Sequence, residues 1–400
     1  MLVLGGGVVA GGVLALVLQA VTAPGETGAA AEAGPWPPST SSVATTSAVT
    51  MSAAPLVTAD VVGEQVLLAW TPGGLRDGFA DAVRRLPSVG AVTSVAGGLV
   101  ELAGSAASDG QPSDVLHDGW VIPLDAMAYD PATYPDFVPT AAAGLFRDLG
   151  PGEGLLSEGS AALRGLGAGA TLRLVDGTAL RVAAVVDDAL VGAAEVAVAA
   201  PDLPALPQRY LLLRSAVSRP AMEVALRATL PAGVPLRVRG PGETPYLRHG
   251  DAVLPQLEIK RRFGEFAYRR GPAREFEQDP GWARANLVTA AVPLLGDVTC
   301  HRAVIDPLRQ ALSELEAASL GWLVDPQGYA GCAVARFTDD RSSVSRHAWG
   351  LALDLNQRTN PMGTAGDQDP RLVEAFAQHG FTWGGSWLVP DPAHLEYALP

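Results

Sequence analysis

Three residues near the end of the chain, His347, Asp354 and His394, have the types and spacing of a metal site. Asp354 falls in Leu351-Ala352-Leu353-Asp354-Leu355-Asn356. Read as a strand, this stretch puts Ala352, Asp354 and Asn356 on one face and the leucines on the other. A carboxylate in such an apolar strand is costly to bury unless it is paired or bound to a metal. His347 stands just before, and Gly350 between them allows a turn or a close approach. The second piece, Asp391-Pro392-Ala393-His394-Leu395-Glu396-Tyr397, alternates in the same way. If the two pieces are neighbouring strands, two imidazoles and one carboxylate meet. On a single Zn2+ that donor set leaves the fourth position open, as in a catalytic rather than a closed structural centre. Asp391, upstream of His394 in the same piece, could then act as general base toward a water. Glu396 could orient a ligand from behind.

The elements that must hold these residues are legible nearby. Val304, Ile305, Leu308, Leu312 and Leu315 fall on one face of a predicted helix over 304–318. Short strands are predicted over 333–337, 351–355 and 395–398, and a helix over 371–378 that Gly380 stops. Cys300 and Cys332 flank the first helix and are expected to form a disulfide if the chain is exported. Closing that loop contributes about 3–4 kcal/mol in the chain-entropy account. Zinc ligation by the two thiols is the alternative. Trp349, Trp383 and Trp387 read as core or pocket wall, with Trp383 and Trp387 taken as substrate-side. His301 and His379 read as structural.

Upstream, residues 1–23 are almost wholly apolar, long enough for a membrane span. An uncleaved anchor is expected, a cleaved signal peptide being the competing reading. Residues 24–55, rich in Ala, Gly, Ser, Thr and Pro, read as a flexible spacer. Residues 56–239 show the alternation of a separate α+β domain without a catalytic motif, and His117 is its only histidine. Residues 240–299 read as an extension wrapping the C-terminal domain, residues 300–400. The net charge of −14 disfavours a nucleic-acid partner. Lys260, Arg261, Arg262, Arg269 and Arg270 form a short basic cluster, read as a solvated face.

Ser345 to Asp354 fits S-x-H-x-x-G-x-A-x-D, and Gly380-Phe381-Thr382-Trp383-Gly384-Gly385 with Trp387 leads into the closing motif around His394. In these motifs the chain resembles the M15 zinc D-alanyl-D-alanine carboxypeptidases and endopeptidases of the VanY-like kind. They share a fold with lysostaphin-type enzymes and the hedgehog signalling domain. The resemblance runs from about residue 256 to the end of the chain. It implies a small antiparallel sheet with flanking helices, one Zn2+ on His347, Asp354 and His394, and Asp391 as base. It implies further that Arg336 binds substrate and stabilises an oxyanion, and that Ser345 lies near the substrate. Leu395 stands where many members have Phe. The implied activity is hydrolysis of peptidoglycan stem peptides, D-alanyl-D-alanine carboxypeptidase first, endopeptidase or a non-catalytic zinc-containing wall-binding module as alternatives. The implied location is the cell membrane, single-pass with the catalytic domain outside, or alternatively a secreted protein. Gly152 to Glu158 and Gly167 to Leu172 faintly resemble the extracytoplasmic domains of MacB/FtsX-type permeases, which implies a membrane-protein partner for the middle domain.

Overall fold

Ile122, Leu124, Ala126 and Ala128 alternate along one strand with Met127 and Tyr129, and the two sets end in different cores. That period of two governs the first half of the molecule. The structure, a computed structural model, describes residues 65–200, 203, 206–244, 247–339 and 341–398. The predicted anchor and spacer lie outside them. Among the described residues no helix is long and apolar enough to cross a membrane.

In chain order the first half contains β1 (Gln65–Trp70), α1 (Phe79–Arg84), β2 (Val89–Ala106), β3 (Pro112–Val115) and β4 (Ile122–Tyr129). Next come α2 (Thr140–Arg147), β5 (Glu153–Ser157), α3 (Glu158–Arg164), β6 (Thr171–Leu174), β7 (Ala179–Val186) and β8 (Val196–Ala199). The half closes with β9 (Gln208–Ser215), α4 (Arg219–Arg227) and β10 (Arg237–Arg239). Strand β2 pairs with β4, β4 with β8, β8 with β5, β5 with β7, β7 with β6, and β6 back with β2. The ring is therefore closed. The expected α+β domain is a β-barrel carrying an extra sheet wing, in which β9, β1 and β10 extend from β2. Closure depends on β2 being one strand of 18 residues. A register shift between Leu102 and Gly104 lets it serve both β4 and β6. Leu102, Leu124, Leu156, Leu172, Leu180, Val196 and their neighbours fill the interior.

The second half opens with α5 (Gln256–Phe263), the hairpin of β11 (Tyr268–Arg270) and β12 (Phe276–Gln278), and α6 (Pro280–Asn286). The hairpin β13 (Leu287–Val292) and β14 (Gly296–His301) follows, then α7 (Arg302–Ala317), β15 (Ala352–Asp354), α8 (Pro370–Gln378), β16 (Phe381–Trp383) and β17 (His394–Tyr397). The expected stripe of α7 is buried, and Nδ1 of His301 accepts from the Ala303 N–H at its start. Phe263, Phe266, Phe276 and Trp282 share one core with Val304, Leu308, Trp349 and Leu353, so 256–298 is structural flesh of this half. No strand forms over 333–337, where only isolated bridges join Arg336 to Glu275 and Phe337 to Val344. Cys300 and Cys332 are disulfide-bonded, with Cα atoms 5.2 Å apart.

The two halves meet through buried charge. Lys260 is fully buried and pairs with Glu195 of the barrel at 2.8 Å and with Glu265 at 2.9 Å. Arg164 of α3 reaches Glu265 at 2.6 Å. Lys260 thus does not belong to a solvated face. Its basic neighbours do lie at the surface, paired with Glu258, Glu277 and Glu101.

Candidate active site

Register decides the centre of the site. In the three-stranded antiparallel sheet β15-β17-β16, Asp354 lies opposite His394, and Ala352 opposite Glu396. One face carries these polar side chains. The other carries Leu353, Leu395, Phe381 and Trp383 into the core. His347 arrives from a single 3-10 turn, Arg346–Trp349, that ends on Gly350 with φ 66°. A Cβ there would sit 2.5 Å from the His301 nitrogen, so only glycine permits this approach to β14.

Nε2 of His347 lies 3.4 Å from Asp354 Oδ1, and Nδ1 of His394 lies 3.0 Å from the same oxygen. One ligand atom from each residue falls within 4.8 Å of the others, and all three side chains are buried. Nε2 of His347 is buried with no hydrogen-bond partner, while its Nδ1 faces the Cys332 carbonyl at 3.3 Å. An imidazole fixed through one nitrogen, with the other orphaned toward a carboxylate and a second imidazole, fits a metal ion. Burial opposes ionisation of Asp354, but the two imidazoles close to it, His347 and His394, outweigh it and hold the carboxyl well below the usual range. For His394 burial disfavours the charged form, and Asp354 reverses the balance and raises its pKa.

Asp391 borders the cleft beside this centre, held by its N–H to the Gly384 carbonyl at 3.0 Å. Burial raises its carboxyl pKa, Asp354 adds to the rise, and His394, His347 and Arg336 oppose it. Nη2 of Arg336 lies 3.7 Å from Asp354 Oδ2, and Arg336 and Ser345 both line the cleft. Glu396 Oε1 accepts from the Val253 N–H at 3.2 Å, and Oε2 stands 4.0 Å from His394 Nε2. Trp387 packs on His394 with ring centres 5.0 Å apart and lines the cleft. Trp383 does not line it. Its register opposite Leu395 turns the ring into the core, and its indole N–H donates to the Pro392 carbonyl at 2.8 Å.

The cleft, about 920 Å³, extends from these residues to the barrel half, where Asp125 and Tyr210 line it, with Arg248 and His249 added from the loop after β10. Sequence reading passed over these four. They lie more than a hundred positions from the motifs or in loops without periodicity, so no local signal connects them to the site. Arg346, inside the first motif, had such a signal and was not singled out.

Two imidazoles and a carboxylate that converge beside a cleft could hold a single metal ion. Residues 338–397, the segment holding all three, match the sequence model of a peptidase family described as D-alanyl-D-alanine carboxypeptidase. No curated protein matches the chain. Among solved structures, the periplasmic region of MacB from Actinobacillus actinomycetemcomitans is similar at 10% identity, covering 44% of this chain and 88% of that one, with TM-score 0.29. The extracellular domain of the noncanonic ABC-type transporter YknZ from Gram-positive bacteria is similar at 12% identity, covering 40% and 88%, with TM-score 0.28.

Proposed function

We propose that this protein is a zinc-dependent peptidase that hydrolyses peptidoglycan stem peptides, acting foremost as a D-alanyl-D-alanine carboxypeptidase. The observation that carries this reading is the convergence of His347, Asp354 and His394, with the orphaned Nε2 of His347, inside the segment matched by the peptidase family. These three residues would hold the ion. A bound Zn2+ would supply Lewis acidity to a water and to the scissile carbonyl.

The chain's own groups do the rest. Asp391 accepts the proton of the attacking water and returns it to the leaving amine. Arg336 faces the same space and offsets negative charge on the carbonyl oxygen in the transition state. Ser345 and Trp387 border the peptide. Glu396 steadies β17 behind His394 through the Val253 N–H. Export suits this substrate, and the Cys300–Cys332 disulfide fits an oxidising compartment.

The volume of the cleft, about 920 Å³, with lining from both halves, favours endopeptidase cleavage as a second reading, because it gives room to chain on both sides of the scissile bond. The test is digestion of muropeptides by zinc-loaded protein, read by mass spectrometry. Loss of a terminal D-alanine supports the first reading, and scission of cross-links the second. Intact muropeptides in the presence of stoichiometric zinc would overturn both.

A further inference from the structure

We infer that Arg248 and Arg346 form a subsite for a carboxylate of the substrate peptide. The inference rests on the peptidase reading and deepens it. Arg248 lies outside the segment matched by the family, on the loop after β10, and is only 7% exposed. It lines the cleft together with Arg346. Backbone carbonyls hold its guanidinium. Nη2 donates to Ala252 O and, at 2.9 Å, to Val253 O. Its Nε is buried without a partner, and among the described residues no carboxylate pairs with it. Arg346 is held likewise, by Leu254 O at 2.9 Å and Val344 O at 3.3 Å. Its Nε makes no hydrogen bond but is ion-paired with Glu396 Oε1 at 3.6 Å.

Two guanidiniums lining one cleft wall are unfavourable by themselves. Burial, Arg346 and Arg239 together press the Arg248 pKa down to about 10, with Glu396 and Asp125 only partly opposing them. The surrounding polypeptide has net charge −14, so cations gathered here run against the overall field. Carbonyl anchoring fixes the Arg248 guanidinium without neutralising it, and since Arg346 already pairs with Glu396, the charge left for an incoming anion is chiefly that of Arg248. A carboxylate suits a guanidinium because both are planar and can bond in two places. The cleft volume, about 920 Å³, lies near the top of the roughly 300–1,000 Å³ range of small-ligand sites. It therefore takes residues beyond the bond being cut. In a stem peptide the α-carboxylate of the γ-linked D-glutamate is a group of this kind.

The experiment uses the full chain, zinc-loaded and carrying Asp391→Asn to silence turnover. Calorimetry measures its affinity for L-Ala-γ-D-Glu-L-Lys-D-Ala-D-Ala with the D-glutamate carboxyl free or amidated. We expect the free acid to bind at least tenfold more tightly. Adding Arg248→Gln should bring that ratio to about two, and Arg248→Lys should recover part of it. Equal affinity for acid and amide, or a ratio unchanged by Arg248→Gln, overturns the subsite. If the Gln variant fails to fold, the Lys variant decides, a ratio lowered at least threefold supporting the subsite and an unchanged one overturning it. Muropeptide digestion by the parent separates the two claims. Acid preference without cleavage sinks the peptidase reading and leaves the subsite. Cleavage without acid preference sinks the subsite alone.

Discussion

In the proposed mechanism each side chain at the centre has a different task, and substitution should separate them. His347→Ala or Asp354→Ala removes a proposed ligand, and the purified variant should not retain zinc as read by elemental analysis. Asp391→Asn should retain zinc, yet lower kcat by about 10²–10⁴ on a stem peptide, the span expected for loss of a positioned base. Parent-level turnover in that variant would sink the mechanism. Asp125, on the far wall, gives a pH signature. Burial and the nearby Glu195 raise its pKa to about 6 from an ordinary 3.8, against the pull of Arg346, Lys260 and Arg248. The folded state thus binds this proton more tightly than the unfolded state. The resulting stabilisation is complete below pH 3.8 and is lost as pH rises through about 6. Asp125→Asn should therefore match the parent in denaturant titrations near pH 3.8 and exceed its stability at pH 7 by about 2–3 kcal/mol.

At the scale of elements, the site rests on two devices. The first is the register of β15 against β17, which sets Asp354 opposite His394. A slip of one residue would turn Asp354 into the core and expose its leucine neighbours, so the apolar face itself fixes the metal ligands. The second is the disulfide. Cys332 is both a bridge partner and the residue whose carbonyl orients His347. Replacing both cysteines with serine should cost about 3–4 kcal/mol of stability. It should also weaken zinc binding by about tenfold, at the low end of effects for groups that orient a metal ligand. Competition with a chromogenic chelator reads the second effect, and unchanged affinity would detach the disulfide from the metal site.

For the whole molecule, the decisive contact is the buried junction of α5 with the barrel. Lys260 there faces two carboxylates, and Gln256 donates to Glu195 at 3.1 Å beside it. Lys260→Met should destabilise the protein by about 3–5 kcal/mol, because it leaves Glu195 and Glu265 buried with too little positive charge. Because the cleft spans both halves, the same variant should raise KM for stem peptides more than it lowers kcat. An equal loss in both would argue that the barrel wall does not touch substrate.

Much of the C-terminal site was legible because its chemistry is local. Alternation around Asp354 and His394 announced one polar and one apolar face, and the stripe of α7 announced a core helix. Those patterns depend only on the period of a strand or helix, which sequence displays directly. Closure of the barrel, burial of Lys260 and the placing of Trp383 in the core were not legible. Each depends on which strand pairs with which or on what lies across an interface, and no local period records that. By itself the sequence determined the candidate ligands His347, Asp354 and His394, the candidate base Asp391 and the faces that carry them. Only the tertiary structure decided that these stand at one end of a cleft whose other wall is the barrel half, because that wall comes from residues brought near by long-range strand pairing and a buried ion network.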